Sequence, residues 1–196
     1  MREMMRMVVV LSVICAASGL ALSGLKAWTA PHIELAELTH VKGPALAGVF
    51  GETDNDPIAE RTTVNLPGDK ALLVFPARRG GALAAVAFET FAGGYGGDIG
   101  VMVGFDPQGK RIEGIGITTH KETPGVGSRT TLPAFTEQFR GHPFGPVALK
   151  SRGGDIDAVS GATISSTAVS AAVDKAVRLF RDNRQAILTA LEEGGQ

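Results

Sequence analysis

Residues 99–118 read IGVMVGFDPQGKRIEGIGIT, and this stretch decides the fold class. Two apolar runs, Ile99–Phe105 and Arg111–Thr118, flank the tetrapeptide Asp106-Pro107-Gln108-Gly109. Pro107 and Gly109 occupy the turn positions those residues favour, so the segment predicts a β-hairpin. Ile112, Ile115 and Ile117 alternate imperfectly along its second arm. Upstream, Ala71–Phe75 (ALLVF) and Leu83–Phe91 (LAAVAFETF) read as two further strands, and Val147–Leu149 is another strand candidate. Downstream, Leu132–Phe139 predicts a short helix, with Thr130 or Thr131 as its cap and Pro133 in its first turn. Val169, Ala172, Val173, Ala176, Val177 and Phe180 recur at three- and four-residue spacing and predict a longer amphipathic helix. Ile187, Leu188 and Leu191 extend that stripe beyond a break near Asp182-Asn183. The expected fold is α+β, an antiparallel sheet with helices packed on it.

The amino-terminal part is of a different kind. Met7–Leu25 (MVVVLSVICAASGLALSGL) is uncharged over 19 residues, between Arg2 and Arg6 on one side and Lys26 on the other. As a helix it spans roughly 28 Å, the thickness of a bilayer core. Trp28 follows at an interfacial position. A cleaved signal peptide, with Ala21-Leu22-Ser23 near its end, is the competing reading, but the run exceeds the ~7–15 apolar residues of such signals and favours a retained anchor. Two arginines against one lysine favour an inside N-terminus, with the bulk of the chain outside. Ile33, Leu35, Ala36 and Leu38 could continue this helix, and Gly51–Pro57 (GETDNDP) reads as a loop. The chain divides into an anchor (1–28), a connecting segment (29–70), a principal domain (71–182) and a helical tail (183–196).

Composition narrows the chemistry. Lys and Arg number 19 against 20 Asp and Glu, so no basic surplus points to nucleic acid. The single cysteine, Cys15, excludes an intrachain disulfide framework and a metal cluster built from this chain's cysteines alone; it reads as an apolar residue in lipid. No Gly-x-Ser-x-Gly, HExxH or Walker loop occurs. Half of the 26 glycines fall between Gly80 and Gly127.

Three clusters carry the candidate chemistry. Asp155–Thr167 (DIDAVSGATISST) gathers Ser160, Thr163, Ser165 and Ser166 where the long helix begins, with Gly161 and Ala162 leaving the backbone open. A helix N-terminus of that kind suits a phosphate; the competing reading is that the hydroxyls are ordinary caps. His120–Ser128 (HKETPGVGS) lies between a strand and a helix and could wrap a planar ligand, or simply connect the two. Gly93-Gly94-Tyr95-Gly96-Gly97-Asp98 puts four glycines around the only tyrosine. It reads either as a flexible hairpin or as bare backbone for a flat ligand.

These residues resemble a known family. Asp157–Thr163 (DAVSGAT) resembles the D-x-x-(S/T)-G-A-(T/S) flavinylation motif of FMN-binding domains. His120–Gly127 resembles the ETPG-(L/V)-G loop of that family, and Tyr95-Gly96-Gly97 followed by Ile99 resembles its Gly-Tyr-Gly-Gly/Pro-Ile segment. With its anchor and length, the chain is similar to the FMN-binding, G-type subunit of the Rnf ion-translocating ferredoxin:NAD oxidoreductase complex. It also resembles the related C-type subunit of the Na+-pumping NADH:quinone reductase. The resemblance implies FMN joined by its phosphate to the Thr163 hydroxyl, an ester made by a separate flavin transferase that uses FAD. It implies Asp157, Ser160, Gly161 and Ala162 as the flavinylation sequence around Thr163. Tyr95, Glu122, Thr123, Gly125, Gly127, Ser160, Gly161 and Ala162 are the implied cofactor-binding residues. No residue is implied as catalytic and no metal is implied. The implied setting is the inner membrane, with the domain on the extracytoplasmic side, relaying electrons between partner subunits of a complex that moves H+ or Na+. A cofactor-free anchored binding module, its hydroxyls serving as caps, is the alternative from another class.

Overall fold

The computed structural model describes residues 1–67 and 70–193. The chain forms two compact units, one ending at Thr39 and the other beginning at His40.

The first unit is a single helix, α1 (Arg2–Glu37), followed by the start of a π-helical turn, Leu38–Lys42. The predicted continuation of the anchor through Ile33 and Ala36 is therefore helical. Within the span Arg2–Ala30 an 18-residue stretch reaches a mean hydropathy of 2.3, and none of that stretch is buried within the protein.

The second unit opens with α2 (Gly43–Phe50), which starts on Pro44 in its first turn. Five strands follow: β1 (Thr62–Leu66), β2 (Lys70–Arg79), β3 (Ala82–Gly93), β4 (Asp98–Phe105) and β5 (Ile112–Thr119). They form one antiparallel meander in chain order. The predicted hairpin is β4–β5, and one register line crosses the whole sheet through Thr62, Val74, Phe88, Val103 and Ile115. A bulge between Gly104 and Phe105 leaves Glu113 without a partner on β4. That extra residue is why Ile112 and Ile115 lie three apart yet both face the core.

α3 (Pro133–Thr136) runs into a 3₁₀ turn, Glu137–Phe139, and α4 (Thr163–Glu193) closes the fold. α4 lies on one face of the sheet, where Phe180 stacks on Phe105 with ring centroids 4.7 Å apart. Val169, Ala172, Val173, Ala176 and Val177 join the same core. α2 covers the other face. There a Cβ on Gly104 would collide with Val49 Cγ1, and one on Gly116 would lie 2.8 Å from the Ala45 carbonyl oxygen. Part of the glycine excess is thus a flat seat for α2.

Four expectations need correction. Neither Thr130 nor Thr131 caps α3. Their hydroxyls donate to Gly127 O and Ser128 O, each at 2.8 Å, closing the preceding 3₁₀ turn (Gly127–Thr131). Leu132 occupies the N-cap without a side-chain bond. Val147–Leu149 is no strand: it contributes one isolated bridge, Leu149 to Ile156, and Val147 N–H donates to Asp174 Oδ1 instead. α4 is unbroken at Asp182-Asn183, because Ile187 and Leu191 are buried beyond it and hold the helix down. Finally, β1 and α2 arise within the segment expected to be a mere connection.

Candidate functional site

Three segments distant in sequence converge on one cleft: the 94–97 turn between β3 and β4, the 120–127 loop after β5, and the first turn of α4. The cleft measures about 470 Å³ and is lined by Tyr95, Glu122, Thr123, Val126, Gly127 and residues 161–165. That volume lies within the ~300–1,000 Å³ usual for small-ligand pockets.

Glu122 is the node of the arrangement. It is buried, at 5% exposure. Gly96 N–H donates to its Oε1 at 2.9 Å, and the Ser165 hydroxyl donates to its Oε2 at 2.5 Å. One carboxylate thereby ties the 94–97 turn and the helix start to the 120–127 loop. Burial pushes its pKa up. The Ser165 hydroxyl, the Gly96 and Tyr95 backbone and the charge of His120 outweigh this and hold it below the ordinary carboxylate range. The carboxyl is therefore an anion at neutral pH.

The glycines beside it serve this packing. A Cβ on Gly96 would collide with the Lys121 carbonyl oxygen, and one on Gly127 would sit 2.5 Å from Glu122 Oε2. The bare backbone expected to face a flat ligand here faces Lys121 and Glu122. Tyr95 stands out at 72% exposure at the cleft mouth, beside exposed Val126 and Ile164.

At the start of α4 the capping reading fails. Ala162 precedes the helix and has no capping group. Ser165 points at Glu122, while Ser166 donates back to Ala162 O at 2.9 Å and accepts from Val159 N–H at 3.0 Å. Among the described residues, no side chain accepts from the first-turn N–H groups. Those donors, the positive end of a 31-residue helix and the exposed Thr163 hydroxyl all open on the cleft. Free backbone donors at a helix N-terminus, with a hydroxyl beside them, have the chemistry that suits an anion.

The structure splits the set of residues singled out in the sequence. Tyr95, Glu122, Thr123, Gly127, Gly161, Ala162 and Thr163 line the cleft together. Gly125, at φ +75°, shapes the loop through its N–H bond to Ser128 Oγ at 2.9 Å and does not line it. Asp157 and Ser160 line a neighbouring groove of about 230 Å³ with Arg129, Leu132 and Gln138. There Lys150 Nζ meets Asp157 Oδ2 at 2.7 Å, and Gln138 Oε1 accepts from Asp157 N–H at 2.8 Å. Val126 and Ile164 were not visible as site residues, since an apolar side chain beside a glycine or a helix cap carries no motif. Ser165 was visible only as one hydroxyl among several.

Residues 94–178 match the FMN-binding domain family. That span contains all three cleft segments. A relative from Cereibacter sphaeroides, the G-type subunit of an ion-translocating oxidoreductase complex, is 38% identical over 156 residues, covering 75% of this chain and 71% of the relative. The chain belongs to this family of G-type subunits of ion-translocating oxidoreductase complexes. A second member, from Pseudomonas aeruginosa strain PAO1, is 35% identical over 157 residues, covering 74% of this chain and 73% of that one. The crystal structure of the C-type subunit of the Na(+)-translocating NADH-quinone reductase from Parabacteroides distasonis has a TM-score of 0.51. It is 22% identical and covers 58% of this chain and 63% of its own, so it shares the fold.

Proposed function

We propose that this chain is a membrane-anchored electron carrier that holds FMN covalently, through a phosphoester to Thr163, within an ion-translocating oxidoreductase complex. The observation that carries the reading is the exposed Thr163 hydroxyl on an uncapped helix N-terminus inside the cleft. The first-turn N–H groups of α4 would hold the phosphate, and Gly161, at φ +80° with open space around it, would let it approach. Tyr95, Val126 and Ile164 would flank the ring, with Thr123 and Glu122 supplying polar contacts. Bound FMN would supply the one- and two-electron chemistry that no side chain here provides. A covalent tether suits a carrier, because the group cannot leave between redox states.

The partners are the other membrane subunits of the complex, and a flavin transferase matures the protein from FAD. The helix spanning Arg2–Ala30 is long and apolar enough to cross a bilayer, and the arginines before it favour the domain on the extracytoplasmic side. With one such helix among the described residues and no acid between Met7 and Leu25, the chain moves no ion alone.

Intact-mass measurement tests the reading. Co-expressed with a flavin transferase, the full chain should gain the mass of one FMN and keep it through denaturation. Thr163→Ala should abolish the gain and Thr163→Ser should retain it. Acid-stable flavin on the alanine variant would overturn the assignment.

A further inference from the structure

We propose that Ser165 is a positioning residue, whose hydroxyl holds the Glu122 carboxylate as a fixed charge in the wall of the cofactor cleft. The proposal rests on the flavin reading above for its consequence, but not for its geometry.

Both carboxylate oxygens are occupied, Oε1 by Gly96 N–H and Oε2 by the Ser165 hydroxyl. The socket is closed on two further sides. A Cβ on Gly94 would lie 2.5 Å from Oε1, and one on Gly127 would lie 2.5 Å from Oε2 and 2.8 Å from Ser165 Oγ. Glu122 also lines the open cleft, so it is these two bonds, and not steric closure, that hold the carboxylate in the wall. Ser165 is the one side-chain donor; the other is backbone. It is also two residues from Thr163, on the same turn of α4. The attachment point and the clamp on the neighbouring charge are thus carried by one rigid turn, and they move together.

The titratable surroundings are few. His120 accepts from the Glu122 N–H through Nδ1 at 3.4 Å, and Lys121 precedes Glu122 in the loop. Tyr95 lies on the facing turn, and α4 presents only Thr163, Ile164, Ser165 and Ser166 in its first turn. Among the described residues no salt bridge joins Glu122, and His120 is the one charged neighbour that acts on it. An anion in the cleft wall disfavours added negative charge on a group bound beside it. The clamp therefore sets the reduction potential of that group downward.

Two measurements on the full chain in detergent test this. The first needs no flavin: carboxyl-carbon NMR titration of the protein before modification. Ser165→Ala should raise the Glu122 midpoint by about one pH unit, the loss of one bond to a charged acceptor. An unchanged midpoint overturns the clamp. The second is potentiometry of the flavin-loaded protein. Glu122→Gln, which removes the charge, should shift the midpoint potential upward; Ser165→Ala, which frees the carboxylate but leaves it ionised, should change the potential in the wild-type background and not in the Glu122→Gln background. Additive shifts, or a shift with Glu122→Gln but none with Ser165→Ala, would show that Ser165 does not act through Glu122. Should the alanine variant unfold, Ser165→Cys keeps the volume and weakens the donor, and is read the same way. If the wild-type chain takes up no flavin at all, the carrier reading fails while the titration still decides the clamp.

Discussion

At the scale of single residues, the cleft depends on atoms that cannot be enlarged or moved. Gly96→Ala would drive a methyl into the Lys121 carbonyl oxygen, and neither backbone can yield without breaking the Glu122 bond. We expect a loss of about 1–3 kcal/mol in urea unfolding, with weaker flavin uptake. Glu122 gives a pH signature with a definite sign. Its pKa is depressed below the ordinary value of 4.5 in the folded state. Such a group adds stability that is present above the unfolded pKa and lost as pH falls through the folded one. The domain should therefore weaken on acidification from about pH 5 downward, and Glu122→Gln should flatten part of that slope. Urea midpoints of both proteins across the range check it; parallel slopes would refute it. The motif letters made Glu122 and Thr163 legible in the sequence. Nothing local revealed that Glu122 would bond Ser165, 43 positions away.

At the scale of elements, the ends of helices carry the fold's less obvious supports. α2 ends against two arginines. Arg140 donates to Gly48 O at 2.7 Å and to Glu113 O at 2.9 Å, and Arg79 donates to Phe50 O at 2.5 Å. Cations there satisfy the last carbonyls and complement the helix dipole. Arg140→Ala should cost about 1–2 kcal/mol in chemical denaturation. The far end of α4 belongs to the core: Ile187 and Leu191 are buried, and Arg78 reaches the Leu191 carbonyl oxygen at 3.4 Å. Ile187→Ala should cost about 2–5 kcal/mol by the same measurement. A loss below about 0.5 kcal/mol, the size typical of surface sites, would show that the end of α4 does not hold the core together. The stripe of apolar residues was readable through Leu191. Its continuity was hidden by Asp182 and Asn183, whose weak helix propensity is overridden by burial on either side.

At the largest scale, the chain is two compact units of different surface character. The helix of the first exposes Val8, Leu11, Ile14, Leu20 and Leu22 along its length, while the second buries its own apolar faces. A chain beginning at His40 should therefore stay soluble without detergent, keep the second unit's cooperative unfolding, and accept flavin from a transferase. Circular dichroism and intact mass would show this, and aggregation or loss of the transition would refute it. The α+β character, the central hairpin, two of the three strands before it, the long final helix and the hydroxyl at its start were legible in the residues alone. Each is written in local chemistry: turn residues, helical periodicity, small residues at a helix entry. The strand order, the bulge that puts Ile112 and Ile115 on one face, the seating of α2 on Gly104 and Gly116, and the division of the motif between two grooves emerge only once the chain is folded. Folding alone made Gly96, Glu122 and Ser165 one hydrogen-bonded unit. The reason is physical: such contacts join residues tens of positions apart, and their geometry follows from register and close packing, which no local pattern encodes.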